Sequence, residues 1–436
     1  MFKNKAYISI GSNIPPRRKF IDEATKRLRR DSNIALIKRS SIYETCPNGS
    51  NFDIRKRFLN GVVEIETSLG PSDLMSRLLG IERSLGRTDS KRCLDRAIDL
   101  DILLYNDDIV SNGDVVIPHP RMHERDFVIL PLMEVSPDTV HPVIKKRIRD
   151  IYNAREMKVF TSPQAAYNHL FSEKISGKRI GFVPTMGYLH EGHASLLRRA
   201  RRENDLVVLS IFVNPTQFSA GEDYKRYPRD LKRDARVARK EGVDVIFHPS
   251  ASDMYKKDNS TRVDVEGLSE NLCGRYRPGH FRGVATVVAK LLNVIPADVA
   301  YFGQKDAQQA FIIKRMIRDL NMAVKIKILP TVREKDGLAM SSRNRYLSAA
   351  ERREAPVGYR SLILARKMIE KGEKRSEKVI RSMKDFVHRN SNAKIQYILI
   401  VDKDTLKDVK TVKGAVLIAI AFYFGGTRLI DNMIVN

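Results

Sequence analysis

Two rhythms of apolar and polar positions divide the chain. In the first, "AYISIGS", "IALIKRSSIYET", "RFLNGVVEIETS" and "AIDLDILLYN" read as strands, the third with apolar and polar positions alternating. Between them, "RRKFIDEATKRLRRD" has the spacing of an amphipathic helix. "PSDLMSRLLGIERSLGR" is a second helix, opening on Pro71 with Ser72 and Asp73 near its cap. Strands and helices mixed without a strict strand–helix–strand order predict an α+β sandwich with antiparallel pairing.

The rhythm changes after "HPVIKKRIRDIYNAREMKVF", which reads as the tail helix of one unit running into the first strand of another. "KRIGFVPTMG", "DLVVLSIFVNPTQF", "VDVIFHPS", "DVAYFGQKD" and "KIKILPTVRE" are near-continuous apolar runs separated by helical stretches. Strands apolar on both faces belong to a buried parallel sheet. A doubly wound α/β unit is expected, with ligands at the carboxyl ends of its strands. A last unit begins at Glu334, with "LSAAERREAPVGYRSLILARKMIEK" as a helix and two short strands, "IQYILIVD" and "AVLIAIAFYF". The expected divisions are 1–152, 157–333 and 334–436. There is no internal repeat or low-complexity tract.

Composition adds limits. The 436 residues are 42% hydrophobic and 30% charged, which fits a soluble globular chain of several domains. "AVLIAIAFYF" is the nearest approach to a membrane span, and it is too short. The chain opens directly on a strand-like run without a targeting pattern. Cys46, Cys93 and Cys273 are too scattered for a zinc site or a disulfide framework, so a reducing cytoplasm is expected. The formal charge of +26 is uneven. Residues 1–156 hold 27 Lys/Arg against 22 Asp/Glu, and the remainder 51 against 30. Solvated helix faces and a field for a phosphate-bearing substrate are the two readings. A nucleic-acid binder would interleave clustered cations with aromatics; there is no Trp and no such stripe, so neither nucleic acid nor membrane is an expected partner.

The first chemical signal is "PTMGYLHEGH", where His190 and His193 enter a helix after an apolar strand. A helix N-terminus presents unpaired N–H groups and partial positive charge, so it suits phosphate. Spaced by three, the imidazoles share one side of the first turn and can donate to phosphate oxygens. A zinc pair or satisfied surface histidines are the other readings; zinc needs further ligands, and no H-E-x-x-H pattern is present.

"PTMGYLHEGH" looks like the HIGH-type loop of nucleotidyltransferases. With "SIFVNPTQF", "YPRDL", "GRYRPGHFRGVATVVAKLLN", "YFGQKDAQQ", "REKDGLAMSSRNRYLS" and "TRLIDN", residues 157–436 resemble the pantoate–β-alanine ligases. The resemblance implies a Rossmann-like nucleotidyltransferase domain with a small C-terminal α+β subdomain. It implies that pantoate attacks ATP to give pantoyl adenylate, which β-alanine converts to pantothenate and AMP. Met186, Gly187, His190, His193, Gly303, Lys305, Asp306, Val332, Met340, Ser341, Ser342 and Arg343 would meet ATP, with His193 the implied proton donor or charge stabiliser. Lys305 and Arg343 suit the triphosphate, Ser341 and Ser342 add hydroxyls on a mobile loop, and Asp306 suits Mg²⁺. The amides of Gln217 and Gln309 suit pantoate or β-alanine. Arg277 and His280 read either as a phosphate gate or as a loop cap. Tyr188, where this family often has a small residue, precedes the histidines and is not expected to affect them. A homodimer is implied.

In the first part, "DRAIDLDILLYN" places Asp99 and Asp101 two apart on a strand, so both carboxylates share one face. They repel unless a cation lies between them, and Mg²⁺ with a nucleotide is a natural partner. The alternative is an exposed acidic face. With "AYISIGSN", "RFLNGVVEIET", "IERSLGR" and "IPHPRMHERDFVILPL", residues 5–150 resemble the 6-hydroxymethyl-7,8-dihydropterin pyrophosphokinases of folate synthesis. The resemblance implies a ferredoxin-like α+β domain that moves pyrophosphate from ATP to the pterin's hydroxymethyl group. Asp99 and Asp101 would hold Mg²⁺. Arg87, Arg96, His119 and Arg125 would contact phosphates, and Phe58, Asn60, Glu82 and Phe127 the pterin. "RCLDR" stands where that family commonly has "RWGPR", with Arg96 kept, and "PNGSNFDIRKRFLN" lacks the usual Gln-rich pterin loop.

Overall fold

The computed structural model describes residues 3–45, 57–87, 96–113, 115–123, 125–154, 157–219 and 221–436. The pyrophosphokinase-like departures at Cys93, Leu94 and Asp95 lie outside the described residues. The chain forms two compact units, Met1–Met157 with the short segments Gly177–Arg179 and Arg201–Asp205, and the rest of Lys158–Asn436.

The first unit runs β1 (Asn4–Ser12), α1 (Arg17–Arg30), β2 (Ile34–Arg39), β3 (Tyr43–Thr45), β4 (Phe58–Thr67), α2 (Pro71–Ser84) and β5 (Asp99–Tyr105). The hairpin β6 (Val110–Asn112) and β7 (Val115–Ile117) and the helices α3 (Asp126–Val135) and α4 (Ile148–Asn153) follow. The sheet order is β2-β4-β1-β5, with β3 also on β4, and every pairing is antiparallel. Period two sorts the strands into two layers. Ile8, Ile10, Val63, Ile65, Leu100 and Ile102 bury one face against Ile21 and Leu28 of α1 and Leu74 and Leu78 of α2. Tyr7, Val62 and Leu103 bury the other against Val128, Ile129 and Leu132 of α3. Asp99 and Asp101 alternate with Leu100 and Ile102, so they stand on the α3 side.

"IALIKRSSIYET" was expected as one strand and forms two. Ser40 ends the first: its N–H donates to the Val62 carbonyl at 2.9 Å and its Oγ accepts the Val62 N–H at 3.0 Å, so the side chain takes a ladder partner's place. The expected tail helix is short, covering only Ile148–Asn153.

The second unit opens with β8 (Lys158–Phe160), α5 (Pro163–Ile175), β9 (Ile180–Thr185), α6 (Glu191–Glu203), β10 (Leu206–Ile211), α7 (Leu231–Lys240) and β11 (Val245–Phe247). It continues through α8 (Ala251–Met254), α9 (Cys273–Tyr276), α10 (His280–Val294), β12 (Val299–Gly303), α11 (Ala307–Asp319) and β13 (Lys325–Leu329). These six strands are parallel, in the order β13-β12-β9-β10-β11-β8. The chain winds one way from β9 and the other way from β12, so the topological switch lies between these two neighbours. Loops leaving adjacent strands in opposite directions open a crevice there. "MGYLHEGH" follows β9 and "QKD" follows β12, on the two sides of that crevice. Helix α10 comes so close to the turn after β10 that a Cβ at Gly283 would sit 2.2 Å from the Thr216 carbonyl oxygen; only glycine fits.

The C-terminal part holds α12 (Ala349–Glu354), α13 (Val357–Glu370), α14 (Ser376–Asn390), β14 (Lys394–Asp402), β15 (Val416–Phe424) and β16 (Thr427–Val435). The single helix expected from "LSAAERREAPVGYRSLILARKMIEK" divides at Pro356, whose missing N–H and ring interrupt a helix interior. Three strands stand where two were expected. "TRLIDNMIV" pairs antiparallel with β15 across Gly425-Gly426, a dipeptide suited to a tight hairpin.

Candidate active sites

His190 and His193 form a reciprocal cap on α6. The His190 carbonyl accepts the first helical bonds, from His193 N at 2.8 Å and Ala194 N at 3.0 Å. His190 Nδ1 accepts the Gly192 N–H at 3.1 Å, and His193 Nδ1 accepts the His190 N–H at 3.3 Å. This is the logic of a capping box, with imidazoles in place of a hydroxyl and a carboxylate. Because both Nδ1 atoms accept, both rings carry their proton on Nε2 and present it as a donor. Burial lowers His190 to about 4, with the Lys305 ammonium adding to the effect. Burial, then His190 and Lys305, pushes His193 well below the ordinary range. The site therefore holds two neutral N–H donors, with their ring centroids 4.1 Å apart.

The loop before them has left-handed backbone at Gly187 (φ 86°) and at Tyr188 (φ 51°). Asp234 holds it, accepting the Tyr188 N–H at 2.7 Å and the Leu189 N–H at 2.8 Å. Arg233 donates to the Leu189 carbonyl at 2.8 Å. The Tyr188 ring lies between two guanidiniums, Arg233 at 4.5 Å and Arg345 at 4.7 Å. Tyr188 thus touches the "MSSRNRY" segment rather than standing apart from the chemistry. A Cβ at Gly192 would lie 3.9 Å from the Met340 Cβ, so the start of α6 adjoins this segment as well.

Lys305, Asp306, Gln309, Ser341 and Arg343 line one cavity of about 630 Å³. Gly303 ends β12 and leads into the Gln304–Asp306 turn. That turn is anchored from β16, where Asn432 Nδ2 donates to the carbonyls of Gln304 and Lys305, each at 2.9 Å. Buried Asp431 beside it takes a bidentate pair from Arg333, at 2.6 and 2.9 Å. The Val332 carbonyl accepts Met340 N at 3.0 Å.

Arg343 is paired in this structure: its guanidinium makes two bonds to Asp223, at 3.0 and 2.9 Å. Ser341 Oγ caps the following turn by accepting Arg343 N, and Ser342 Oγ meets the Tyr227 hydroxyl at 3.2 Å. Gln217 Nε2 contacts Met186 Sδ at 3.0 Å, and Asn214 Nδ2 donates to Gln217 Oε1 at 3.2 Å. His280 Nδ1 meets the Gln217 carbonyl at 2.7 Å, and Arg277 is bidentate to Glu222. These contacts tie Arg277 and His280 to the segment around Gln217 and Glu222. Asp223, Tyr227, Asp234, Asp431 and Asn432 went unassigned in the sequence. Asp234 had a signal: an acid within the otherwise basic "LKRDARVARK".

In the first unit, Asp99 Oδ1 takes Arg96 at 2.5 Å and Arg87 at 3.2 Å. Burial, and then the neighbouring Asp99 charge, raises Asp101 to about 6; Arg125, Arg96 and Arg87 act against the rise. Arg125 approaches His119 Nε2 at 3.5 Å and lies 5.5 Å from the centre of the Phe127 ring. Asn60 donates to Thr45 Oγ1 at 2.8 Å, and its Oδ1 lies over Gly11, where a Cβ would be 2.8 Å away. Phe58 begins β4 and is partly exposed. Glu82 is fully buried; its Oε1 accepts Leu100 N at 2.7 Å and its Oε2 pairs with Arg87. Burial raises it to about 7. Two repelling carboxylates flanked by arginines suit a divalent cation shared with phosphate oxygens. Among the described residues no cluster of three His, Cys, Asp or Glu side chains forms a closed metal site.

The second unit carries hydrogen-bond donors and cations at the switch point of a parallel sheet, the place where α/β enzymes bind their ligands. Residues 158–434 match the family model described as pantoate-beta-alanine ligase, and the chain belongs to that family. Residues 7–137 match the model of 7,8-dihydro-6-hydroxymethylpterin-pyrophosphokinase. A pantothenate synthetase of Caldicellulosiruptor bescii is 56% identical over 263 residues, covering 60% of this chain and 93% of that protein. One from Thermotoga petrophila is 56% identical over 268 residues, covering 61% and 96%. The crystal structure of pantothenate synthetase from Thermus thermophilus is similar with a TM-score of 0.61 at 44% identity, covering 64% of this chain and 99% of that one. That of a Francisella tularensis pantoate-beta-alanine ligase, complexed with β-γ ATP and β-alanine, gives 0.53 at 36%, covering 64% and 97%. No helix among the described residues is long and apolar enough to cross a membrane.

Proposed function

We propose that the chain is a bifunctional enzyme with two separate ATP sites. The second unit joins pantoate to β-alanine. A pantoate carboxylate oxygen attacks the α-phosphorus of ATP, the bond to the β-phosphate's bridging oxygen breaks, and pyrophosphate leaves. The β-alanine amine then attacks the acyl carbon, loses a proton and releases AMP. The observation that carries this is the meeting of the β9 and β12 loops at one switch point, with two Nε2–H donors beside Lys305. His190 and His193 stabilise charge on phosphate oxygens as hydrogen-bond donors. Both are neutral, and positioning dominates this chemistry. Lys305 and Arg343 receive the leaving pyrophosphate, Arg343 by exchanging Asp223 for phosphate. Gln217 and Gln309 hold the hydroxyls and carboxylate of pantoate. Met186, Gly187, Gly303, Val332 and Met340 frame the nucleotide, and Asp306 fits Mg²⁺ carried in with ATP.

The first unit, read as a ferredoxin-like domain from its β2-β4-β1-β5 order, transfers pyrophosphate. The pterin's hydroxymethyl oxygen attacks the β-phosphorus of ATP, loses its proton, and AMP departs. Asp99 and Asp101 would hold Mg²⁺, which would supply positive charge to offset that of the phosphates. Arg87, Arg96, His119 and Arg125 contact phosphates, while Asn60, Glu82 and Phe127 bind and stack the pterin, with Phe58 nearby. Neither product is the other's substrate, so the two reactions are independent.

AMP release with each substrate set supplied alone tests the reading. Turnover is expected with pantoate plus β-alanine, and separately with the hydroxymethyl-dihydropterin. Silence in the first set removes the ligase; silence in the second, at saturating ATP and Mg²⁺, leaves the first unit a scaffold.

A further inference from the structure

The ligase cavity has a cation with no counter-charge. Arg428 stands near the start of β16 and is only partly exposed. Its Nε donates to Gln396 Oε1 at 2.9 Å, and one terminal nitrogen donates to Cys273 Sγ at 3.4 Å. Cys273 Sγ in turn meets the Tyr397 hydroxyl at 3.0 Å. None of these partners is a carboxylate. The other sheltered cations on the cavity wall are occupied: Arg277 by Glu222, Arg343 by Asp223, and Lys305 by Asp306 at 3.4 Å. Arg226, also on the wall, is exposed to water. Among the described residues, Arg428 is thus the sheltered cation of this cavity left without an anion.

A guanidinium withdrawn from water and unpaired is costly, and the cost is recovered when an anion arrives. The cavity tells which anion. Arg428 shares it with Lys305 and Gln309, and its partner Cys273 is fixed to the same helix start, because Cys273 N donates to Gln308 Oε1 at 2.9 Å, one residue before Gln309. The triphosphate has Lys305, Arg343 and the histidines. The second reaction needs a zwitterion whose amine reaches the acyl carbon and whose carboxylate lies at its far end. We propose that Arg428 binds the carboxylate of β-alanine and so sets the specificity of the amine-accepting step. This rests on the ligase reading above.

The test compares the full-length chain with Arg428→Gln. Pantoate-dependent exchange between ATP and pyrophosphate, with no amine present, reports the first step alone and is expected to be unchanged. In the complete reaction the KM for β-alanine should rise by about 10- to 100-fold, the scale of losing a charge-assisted hydrogen-bond pair. n-Propylamine, which keeps the amine and lacks the carboxylate, should be a poor acceptor for both proteins. The preference for β-alanine over n-propylamine in kcat/KM should then collapse in the variant. Should Arg428→Gln fold poorly, Arg428→Lys keeps a charge and should retain much of that preference. An intact exchange with KM and preference unchanged overturns the assignment, and so does loss of exchange in a folded variant. Absence of exchange in the wild-type chain would instead sink the ligase reading itself.

Discussion

The two sites manage charge in opposite ways. In the ligase unit the groups facing phosphate are donors: two neutral imidazoles whose Nδ1 atoms are tied to backbone N–H groups, and cations held beside Asp223 and Asp306. In the pyrophosphokinase unit a carboxylate pair forms the centre, and Arg87 and Arg96 hold Asp99. In the first, the histidine donors are set without ligand and need no titration near neutrality, while Arg343 is held by Asp223. The second keeps Asp101 raised to about 6 because it is buried and a like charge stands beside it, a repulsion that a divalent cation would relieve. The donors of one site are pre-organised by hydrogen bonds; the carboxylates of the other repel.

The largest break in that contrast comes from single side chains. His193→Ala should lower pantoyl adenylation by about 10²- to 10³-fold, the scale of removing one pre-organised donor, and leave pyrophosphate transfer unchanged. Asp99→Ala should do the reverse. AMP release with each substrate set reads both, and loss of both activities in either variant would contradict two independent sites. Asp234→Ala comes next. It leaves the part-buried Tyr188 N–H and the buried Leu189 N–H without their acceptor, at about 1–3 kcal/mol for the buried one and less for the other. A drop of about 10- to 100-fold in ATP–pyrophosphate exchange is expected, with a lower melting temperature and a normal pyrophosphokinase rate.

Acid should separate the units more gently. Asp101 (about 6) and Glu82 (about 7) titrate above ordinary carboxylates. At these two positions the folded unit binds protons that its unfolded chain has released, so they contribute stability that grows as pH falls from about 7 towards 4, opposed by His119 and His141, which burial holds below the ordinary range. His190 and His280, both about 4, are depressed. There the unfolded chain binds the extra protons, so their contribution falls as pH drops from about 6.5 towards 4, opposed by Asp234, Glu241 and Asp431, which burial raises. Hydrogen exchange followed by mass spectrometry at pH 6.5 and 4.5, corrected for intrinsic rates, should show protection around Glu82 and Asp101 and around the two histidines moving in opposite directions. At limiting Mg²⁺ a proton on Asp101 would compete with the metal, so pyrophosphokinase activity should fall as pH drops and recover with added Mg²⁺, while ATP–pyrophosphate exchange changes less. Parallel declines would mean that the charge contrast is not what governs the sites.

Much of this was legible in the chain. Apolar runs on both faces announced the parallel sheet, and the alternation of Asp99 and Asp101 with Leu100 and Ile102 put the acids on one face. The histidine spacing announced a helix start, though not that the rings cap it, because Nδ1 acceptance depends on rotamers that spacing leaves open. The partners that immobilise the site were not legible. Asp223, Asp234 and Asn432 act across 120, 46 and 127 residues, and sequence patterns report neighbours a turn or a strand apart. Strand β16 escapes the apolar-run pattern for another reason: "TRLIDN" mixes charged and apolar positions, although Gly425-Gly426 before it signals a hairpin.

The smallest effect concerns Tyr188. An L-residue in the left-handed region costs about 1–2 kcal/mol, yet a tyrosine occupies φ 51° there. Its ring is sandwiched between Arg233 and Arg345, so it joins the loop after β9 to the "MSSRNRY" segment. Each exposed cation–π contact contributes about 0.5–1 kcal/mol, so strain and stacking roughly balance, and the residue's value lies in holding two loops together. Tyr188→Phe keeps ring and stack and should match wild type within about twofold. Tyr188→Gly removes the strain together with both contacts. Its melting temperature should hold or rise slightly while the KM for ATP in the exchange reaction increases by about 2- to 10-fold. If glycine and phenylalanine give the same KM, the sandwich is only surface packing, and the loops around ATP are positioned by Asp234 and the histidine cap alone.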